Sequence, residues 1–320
     1  MFFSKLASPK KLNAKGIMGM NQRNINYIGK YNNRNKYPLV DNKLKTKMIA
    51  EKYGANVPEL IGVIESQSQV KNIHNMVENE GGFVIKPSQG SGGKGILVIT
   101  SHNNGSYVKP SGQIISLKDV ERHITNTLAG LFSLGGKNDV AMIEKIISFD
   151  DTFNNYSFEG VPDVRVIIFQ GYPVMAMVRL STAESDGKAN LHQGAIGVGI
   201  DIATGKAVKG VQFNTPVLTH PDTNQTLNQL SIPNWDELLY IASSAWEMTG
   251  LGYLGADMVL DKERGPMVLE LNARPGLAIQ IANGAGLLPR LRFIEHKGYD
   301  FEHKSIKERV AWSQEHFRHN

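Results

Sequence analysis

Phe83-Val-Ile-Lys-Pro-Ser-Gln-Gly-Ser-Gly-Gly-Lys-Gly-Ile96 is the stretch on which the reading of this chain turns. An apolar run over 83–87 enters a glycine-rich loop, and a second, β-branched run over 96–100 leaves it. Gly90, Gly92 and Gly95 match the spacing GxGxxG. A dinucleotide site needs such a loop to open a helix whose N-terminus faces a pyrophosphate. Here a strand follows instead. A GxxxxGK[ST] loop fails as well, because Ser88 stands five residues before Gly93 and Gly95 follows Lys94. What fits is a flap between two strands. The backbone of Gly90, Ser91, Gly92 and Gly93, with the Lys94 ammonium, can close over nucleotide phosphates. The plain alternative is a mobile surface hairpin. Kinase flaps share the arrangement, but no HRD-like or DFG segment occurs in this chain.

Around that stretch lie 320 residues without cysteine, so disulfides, thiolate nucleophiles and Cys-ligated zinc are excluded. The 35 Lys and Arg against 30 Asp and Glu give a net +5. That excess is local: residues 1–40 hold eight basic side chains (Lys5, Lys10, Lys11, Lys15, Arg23, Lys30, Arg34, Lys36) and no acid. The other 280 residues carry 27 basic and 30 acidic groups, so a nucleic-acid partner is not the expectation for the body. No apolar run approaches membrane-spanning length. The start has no secretory run; its basic, acid-free character also suits an organellar presequence, and the reading adopted is a cytoplasmic protein.

Residues 1–40 contain Ile17, Met18, Met20, Ile25, Tyr27, Ile28, Tyr31 and Tyr37, which are costly to leave in water, so this arm is expected to dock on the body. Asp41 reads as the N-cap of a helix to Tyr53, stopped by Gly54. Strands follow at 60–65, 83–87 and 96–100, with a helix at 68–79. A helix at 117–134 closes on Gly135-Gly136; strands come at 140–147, 164–170, 174–180 and 195–201, with a turn at Gly171-Tyr172-Pro173. A helix at 235–249 precedes a hairpin of 256–261 with 267–271, and a charged helix ends the chain at 304–317. Strands with scattered helices, rather than strict βαβ alternation, indicate an α+β fold with antiparallel sheets.

Two later segments carry further chemistry. Ala141-Met-Ile-Glu-Lys-Ile-Ile-Ser-Phe-Asp-Asp151 reads as a buried strand bearing Glu144 and Lys145. As an edge strand, its backbone could meet a purine, with Asp150 or Asp151 at the ribose. On the hairpin, Glu270 and Asn272 project from one face, and Asp257 on the neighbouring strand can join them. Three hard oxygen donors that interrupt apolar strands suit Mg²⁺.

Together these segments resemble the ATP-grasp superfamily of carboxylate–amine ligases, closest to the alpha-L-glutamate ligase-like group and its sugar-transfer-associated relatives. The resemblance spans roughly residues 41–290 and rests on five ordered motifs. It implies an ATP-grasp fold of two lobes with antiparallel sheets and flanking helices, ATP being bound between them. The implied division is an arm at 1–40 in place of the usual preceding domain, an N-lobe with the flap at 41–140, a C-lobe with the adenine strand and metal site at 141–290, and a helical extension at 291–320. By resemblance, Lys43 (with Lys47 as fallback) and Lys86 contact phosphates. Glu144, Lys145 and Ile147 match the adenine strand, and Arg165 and Arg179 match arginines near the γ-phosphate and acyl phosphate. Asn190 and His192 match the acceptor side, and Asp257, Glu270 and Asn272 match the metal ligands. Arg274 departs from the small or polar residue common in glutamate ligases, which suggests an anion near the acceptor or a structural salt bridge. Arg23 and Asn24 of the arm are placed toward the substrate.

The implied function is an ADP-forming ligase working through an acyl phosphate, with ATP and two Mg²⁺ ions, Mn²⁺ substituting. Its partners are a small-molecule or peptide carboxylate and an amine, L-glutamate among the candidates, and a homo-oligomer is allowed. The alternatives are an ATP-grasp ligase or phosphotransferase acting on a cell-surface saccharide precursor, and a non-catalytic nucleotide-dependent binding protein. His74, His102 and His123 are read as background.

Overall fold

The computed structural model describes residues 8–90, 92–297 and 304–319. The chain divides into two compact units. The smaller comprises Asp41–Met48 and Val57–Ser148; the larger comprises Ile49–Asn56 and the described residues of 1–40 and 149–320.

In the smaller unit, helix α1 (Lys43–Lys52) contributes its first turns. Asn42 caps it, its Oδ1 accepting from Lys45 N at 3.0 Å. The expected cap, Asp41, instead ends a short turn, Pro38–Asp41, that the preset φ of proline suits. Strands β1 (Leu60–Ile64), β2 (Phe83–Pro87), β3 (Leu97–Ile99), β4 (Ser101–Asn103), β5 (Ser106–Val108), β6 (Ile114–Ser116) and β7 (Ala141–Lys145) follow. The main sheet has the order β1-β7-β2-β3, and β4-β5-β6 form a separate one. These three strands were not expected from the sequence, because three residues each are too few to show a period of two. Asn104 and Gly105, at φ 46° and 78°, make the two-residue turn of their hairpin.

Strand β7 is an interior strand, paired on both sides by β1 and β2, and not the edge strand expected. It therefore belongs to this unit, and the division anticipated at 140 falls at 148. Helix α2 (Leu117–Leu128) opens on a Ser116/Asp119 capping box and ends at Ala129, short of the expected 134. Gly130 stops it: its φ is +80°, and a Cβ there would lie 2.2 Å from the Lys137 carbonyl. Val120 and Ile124 of α2 pack with Ile64, Phe83, Ile85, Ile99 and Ile143 as one core.

The larger unit is built on a seven-stranded antiparallel sheet. Its strands are β8 (Asp163–Phe169), β9 (Tyr172–Leu180), β10 (Ile196–Ile200), β11 (Ala207–Gln212), β12 (Thr215–Val217), β13 (Tyr253–Asp261) and β14 (Gly265–Asn272). Their order is β12-β11-β10-β9-β8-β13-β14. The β8–β9 turn is Gln170-Gly171, at φ 49° and 79°; Tyr172 and Pro173 are already paired. The expected helix at 235–249 breaks at Ser244 into α3 (Trp235–Ser243) and α4 (Ala245–Thr249). Helices α5 (Ile279–Asn283), α6 (Leu288–Glu295) and α7 (Ile306–His316) complete the unit. Helix α3 packs on β8, β9, β13 and β14, and α5 on β9, β10 and β11.

Residues 8–40 pack within this unit. Met18, Tyr27 and Ile28 are buried, each contributing about 1.5–3 kcal/mol of apolar burial. Asn32 donates to the Tyr253 carbonyl at 2.7 Å and accepts from the Tyr253 N–H at 2.8 Å. Tyr27 and Tyr31 set their rings edge-on to Phe169 at 5.6 and 4.9 Å. Arg23–Ile28 is a six-residue π-helix, which no periodicity in the sequence announces. The arm is held at its start by a close backbone approach: a Cβ on Gly286 would sit 2.0 Å from the Gly16 carbonyl oxygen. Gly286→Ala is therefore expected to loosen the arm and destabilise the unit by about 1–3 kcal/mol. Limited trypsin digestion should then cleave faster after Arg23 and Lys30; an unchanged rate refutes the contact's importance.

Candidate active site

In the smaller unit, the side chain of Glu144 on β7 is buried between two lysines. Lys47 Nζ lies 2.8 Å from its Oε1, and Lys86 Nζ pairs with its Oε2. All three side chains are at most 10% exposed. Helix α1 turns Lys43 and Lys47 to adjacent positions one turn apart. Lys43 donates from Nζ to the Gly90 carbonyl at 2.7 Å, while its own N–H bonds to Ser88 O at 2.7 Å. Thus Lys43 meets the flap backbone and Lys47 the buried carboxylate. Lys145 pairs with Glu59 at 2.8 Å and Glu80 at 3.8 Å. The ladder ends at Lys145, so the backbone of Ile146 and the half-buried Ile147 lies beyond it.

The flap has Gly92, Gly93 and Gly95 at φ 62°, 75° and 78°, and Lys94 is exposed. Ser91 lies outside the described residues. Its base is anchored by two residues the sequence reading passed over. Asp139 accepts from Ser88 Oγ, Ser133 Oγ, Gln89 N (2.9 Å) and Val140 N (2.8 Å). His123, stacked on Phe132 at 5.2 Å, holds its Nε2 2.9 Å from Gly95 O, and burial lowers its pKa. Burial alone would raise the Asp139 pKa, but the Ser133 and Ser88 hydroxyls and the two backbone N–H groups outweigh it and hold the carboxyl below its usual range. A depressed folded-state pKa contributes stability above pH ~4 that is lost as pH falls through the folded value. Asp139→Asn should therefore destabilise by about 1–3 kcal/mol at pH 7 and flatten the acid limb. Urea midpoints at pH 7, 4 and 3 check this; parallel pH profiles for both proteins contradict it.

In the larger unit, residues opposite one another across the ladder share a face. One row runs Gly199, Met177, Arg165, Asp257, Glu270. The next runs Gly197, Arg179, Asp163. Arg165 donates Nε and Nη2 to the two oxygens of Asp257 at 2.7 and 2.6 Å. Arg179 grips Asp163 with Nε and Nη2 and reaches Asp257 Oδ2 at 2.8 Å. Asn272 Nδ2 donates to the same oxygen at 3.2 Å.

Burial opposes the Asp257 charge, yet Arg165 and Arg179 prevail and hold its carboxyl well below the carboxylate range. Asp163, buried, repelled by Asp257 and with Arg179 only partly compensating, is pushed up to about 6. Burial opposes the Arg179 charge too, but its two carboxylate partners raise its pKa. Asp163 stands two residues before Arg165 in the sequence, and its role as a charge partner was not legible there.

Asp257, Glu270 and Asn272 come together as expected: Asp257 and Glu270 are direct cross-strand neighbours, and Asn272 contacts Asp257. No group of three His, Cys, Asp or Glu side chains suited to a metal occurs among the described residues. The donor set here is two carboxylates and one amide, hard oxygens of the kind Mg²⁺ takes, so the residues fit that ion.

The remaining candidates are more dispersed. Asp150 caps a 3₁₀ turn through Thr152 N at 2.9 Å, and Asp151 pairs with Lys262 at 2.7 Å. Asn190 caps the turn carrying His192, accepting from His192 N at 3.0 Å, and the His192 side chain is exposed. Arg274 has an aromatic partner and, among the described residues, not the suggested salt bridge: its guanidinium lies 4.8 Å over the Tyr37 ring of the arm. Beside it, Arg23 Nη1 donates to Pro275 O at 2.8 Å, so the arm meets the loop that follows Asn272.

The sequence profile of a family described as sugar-transfer associated ATP-grasp matches residues 22–296. No curated protein matches the chain. Among solved structures, the chain is similar to the ATP-grasp ligase PsnB complexed with minimal precursor, at 14% identity and TM-score 0.43 over 88% of this chain and 63% of that one. It is also similar to the D-cycloserine synthetase DcsG, at 15% identity and TM-score 0.46 over 86% of this chain and 71% of that one. D-alanine–D-alanine ligase from Bacillus anthracis complexed with ATP gives 14% and 0.46 over 94% and 75%. The chain thus spans less than two thirds of the length of PsnB.

Proposed function

We propose that this chain, which belongs to the sugar-transfer-associated ATP-grasp family, is an ATP-dependent, ADP-forming carboxylate–amine ligase working through an acyl phosphate. The observation that supports this most directly is the paired rows on one sheet face. Two guanidiniums stand beside a hard-oxygen donor set, in a chain without cysteine. Such an inventory suits bringing anions together by position and charge rather than by a protein nucleophile.

In this reading, Lys43, Lys86, Lys94 and the flap amides bind phosphates. The backbone beyond Lys145, at Ile146 and Ile147, meets the purine, and Asp150 or Asp151 the ribose. Asp257, Glu270 and Asn272 would hold Mg²⁺, which when bound supplies charge compensation to phosphate oxygens. A substrate carboxylate oxygen attacks the γ-phosphorus of ATP and ADP leaves; an amine nitrogen then attacks the acyl carbon and phosphate leaves. Arg165 and Arg179 stabilise the charge on the transferred group. His192, exposed on its turn, takes the amine proton in this reading. L-Glutamate is one candidate amine.

The family description favours an acceptor that carries a saccharide. A panel of amino acids against free and sugar-linked carboxylates, read by ADP release and product mass, tests both points. Turnover should require carboxylate and amine together. ATP consumption without an amine, yielding a stable phosphorylated product, would replace the ligase by a phosphotransferase.

A further inference from the structure

The larger unit holds a shallow, open cavity of about 420 Å³ along α6 and the end of α7. Its walls include Arg290, Arg292, Arg318, His296 and His316, and no Asp or Glu lines it among the described residues. The rings of Phe293 and Phe317 supply its apolar side. None of these residues belongs to the rows around Asp257. Glu315, outside the lining, lies 3.8 Å from His316 Nδ1.

Arg290 marks the cavity as a place for an anion. Its Nη1 donates to the Val174 carbonyl at 2.7 Å, and its guanidinium lies 5.4 Å from the centre of the Phe317 ring. No carboxylate forms an ion pair with it among the described residues. A guanidinium has five N–H donors, and that one bond uses a single donor. Burial lowers its pKa to about 10, with Asp201 opposing this only as a nearby charge. A half-buried cation lacking a paired anion, beside two exposed arginines, is complementary to a group of concentrated negative charge.

We propose that this cavity binds a compact phosphate- or diphosphate-bearing molecule as a second ligand site of the protein. The planar forks of Arg290, Arg292 and Arg318 match phosphate oxygens two at a time, and a phosphate or diphosphate offers enough oxygens to engage more than one fork. The volume lies in the range of small-molecule sites, and the two rings cover an organic portion attached to the phosphate. The phosphate can belong to a free ester or to a lipid headgroup.

The test titrates inorganic pyrophosphate into the full chain by calorimetry, without nucleotide. Arg292→Ala/Arg318→Ala alters only exposed side chains, and its thermal midpoint without ligand confirms folding. Pyrophosphate should bind the double variant at least about tenfold more weakly, while Lys94→Ala in the flap retains this binding event. Equal affinity in the double variant, or loss of the event only in Lys94→Ala, overturns the proposal. Sedimentation with phosphatidylcholine vesicles carrying phosphatidic acid separates the sources. Co-sedimentation lost in the double variant assigns a headgroup, and pyrophosphate binding without co-sedimentation assigns a free ester.

Discussion

Glu144→Leu should lower the stability of the smaller unit by about 3–5 kcal/mol, because it leaves two lysines buried around a missing carboxylate. Lys47 and Lys86 approach Glu144 from opposite sides, and all three are withdrawn from water on or beside the sheet's second strand. Removing one partner of a buried ionic group leaves an uncompensated charge, whereas replacing the group as a whole can be nearly neutral. The double variant Glu144→Leu/Lys47→Met should therefore recover part of the loss. Urea unfolding with an unchanged slope measures both. A single-variant loss below about 1 kcal/mol would show that the lysines do not depend on this carboxylate.

Arg179→Lys should reduce turnover by about 10²–10³-fold while disturbing stability far less. The guanidinium spans Asp163 and Asp257 together, which a point-charge ammonium cannot do in the same geometry. Lysine keeps the charge but not the fork, so Asp163, already pushed up to about 6, loses the paired N–H donors that Arg179 gives it. ADP release under saturating substrates reads the loss, and circular dichroism confirms the fold. Turnover within about threefold of the parent would remove Arg179 from the catalytic role proposed for it.

Local chemistry made some parts of this protein legible in its sequence. Phe83–Pro87 is a strand of the bounds expected, because five apolar-rich residues are fenced by Gly81-Gly82 and the flap glycines. The proximity of Asp257, Glu270 and Asn272 was legible because a period of two on a hairpin fixes which side chains share a face. What escaped is non-local or weakly patterned. Nothing between 141 and 145 reveals that β7 inserts between β1 and β2, since both partners lie more than fifty residues away. Lys43 and Lys47 sit one helical turn apart, so spacing alone could not decide which meets a carboxylate. Asp139 lies in a polar loop between glycines and strand, and Asp163 and Arg179 pair across a hairpin. The helix expected to reach 134 looked continuous because the apolar residues Leu131, Phe132 and Leu134 extend its pattern past Gly130; Leu131 and Leu134 are exposed.

The strand order of the smaller unit has a consequence for biosynthesis. Its second strand is the last of the sheet to be made, so β1 emerges from the ribosome roughly eighty residues before its only neighbour. The larger unit waits longer still: Tyr27 and Tyr31 bond Glu295, and Met18 bonds Gln280, across nearly the whole length of the chain. The segment around Met18, Tyr27 and Tyr31 is thus made 262 to 268 residues before these partners. Until those partners are made its apolar side chains lack their cover, and the like charge of eight cations and no acids in residues 1–40 opposes contact between such segments.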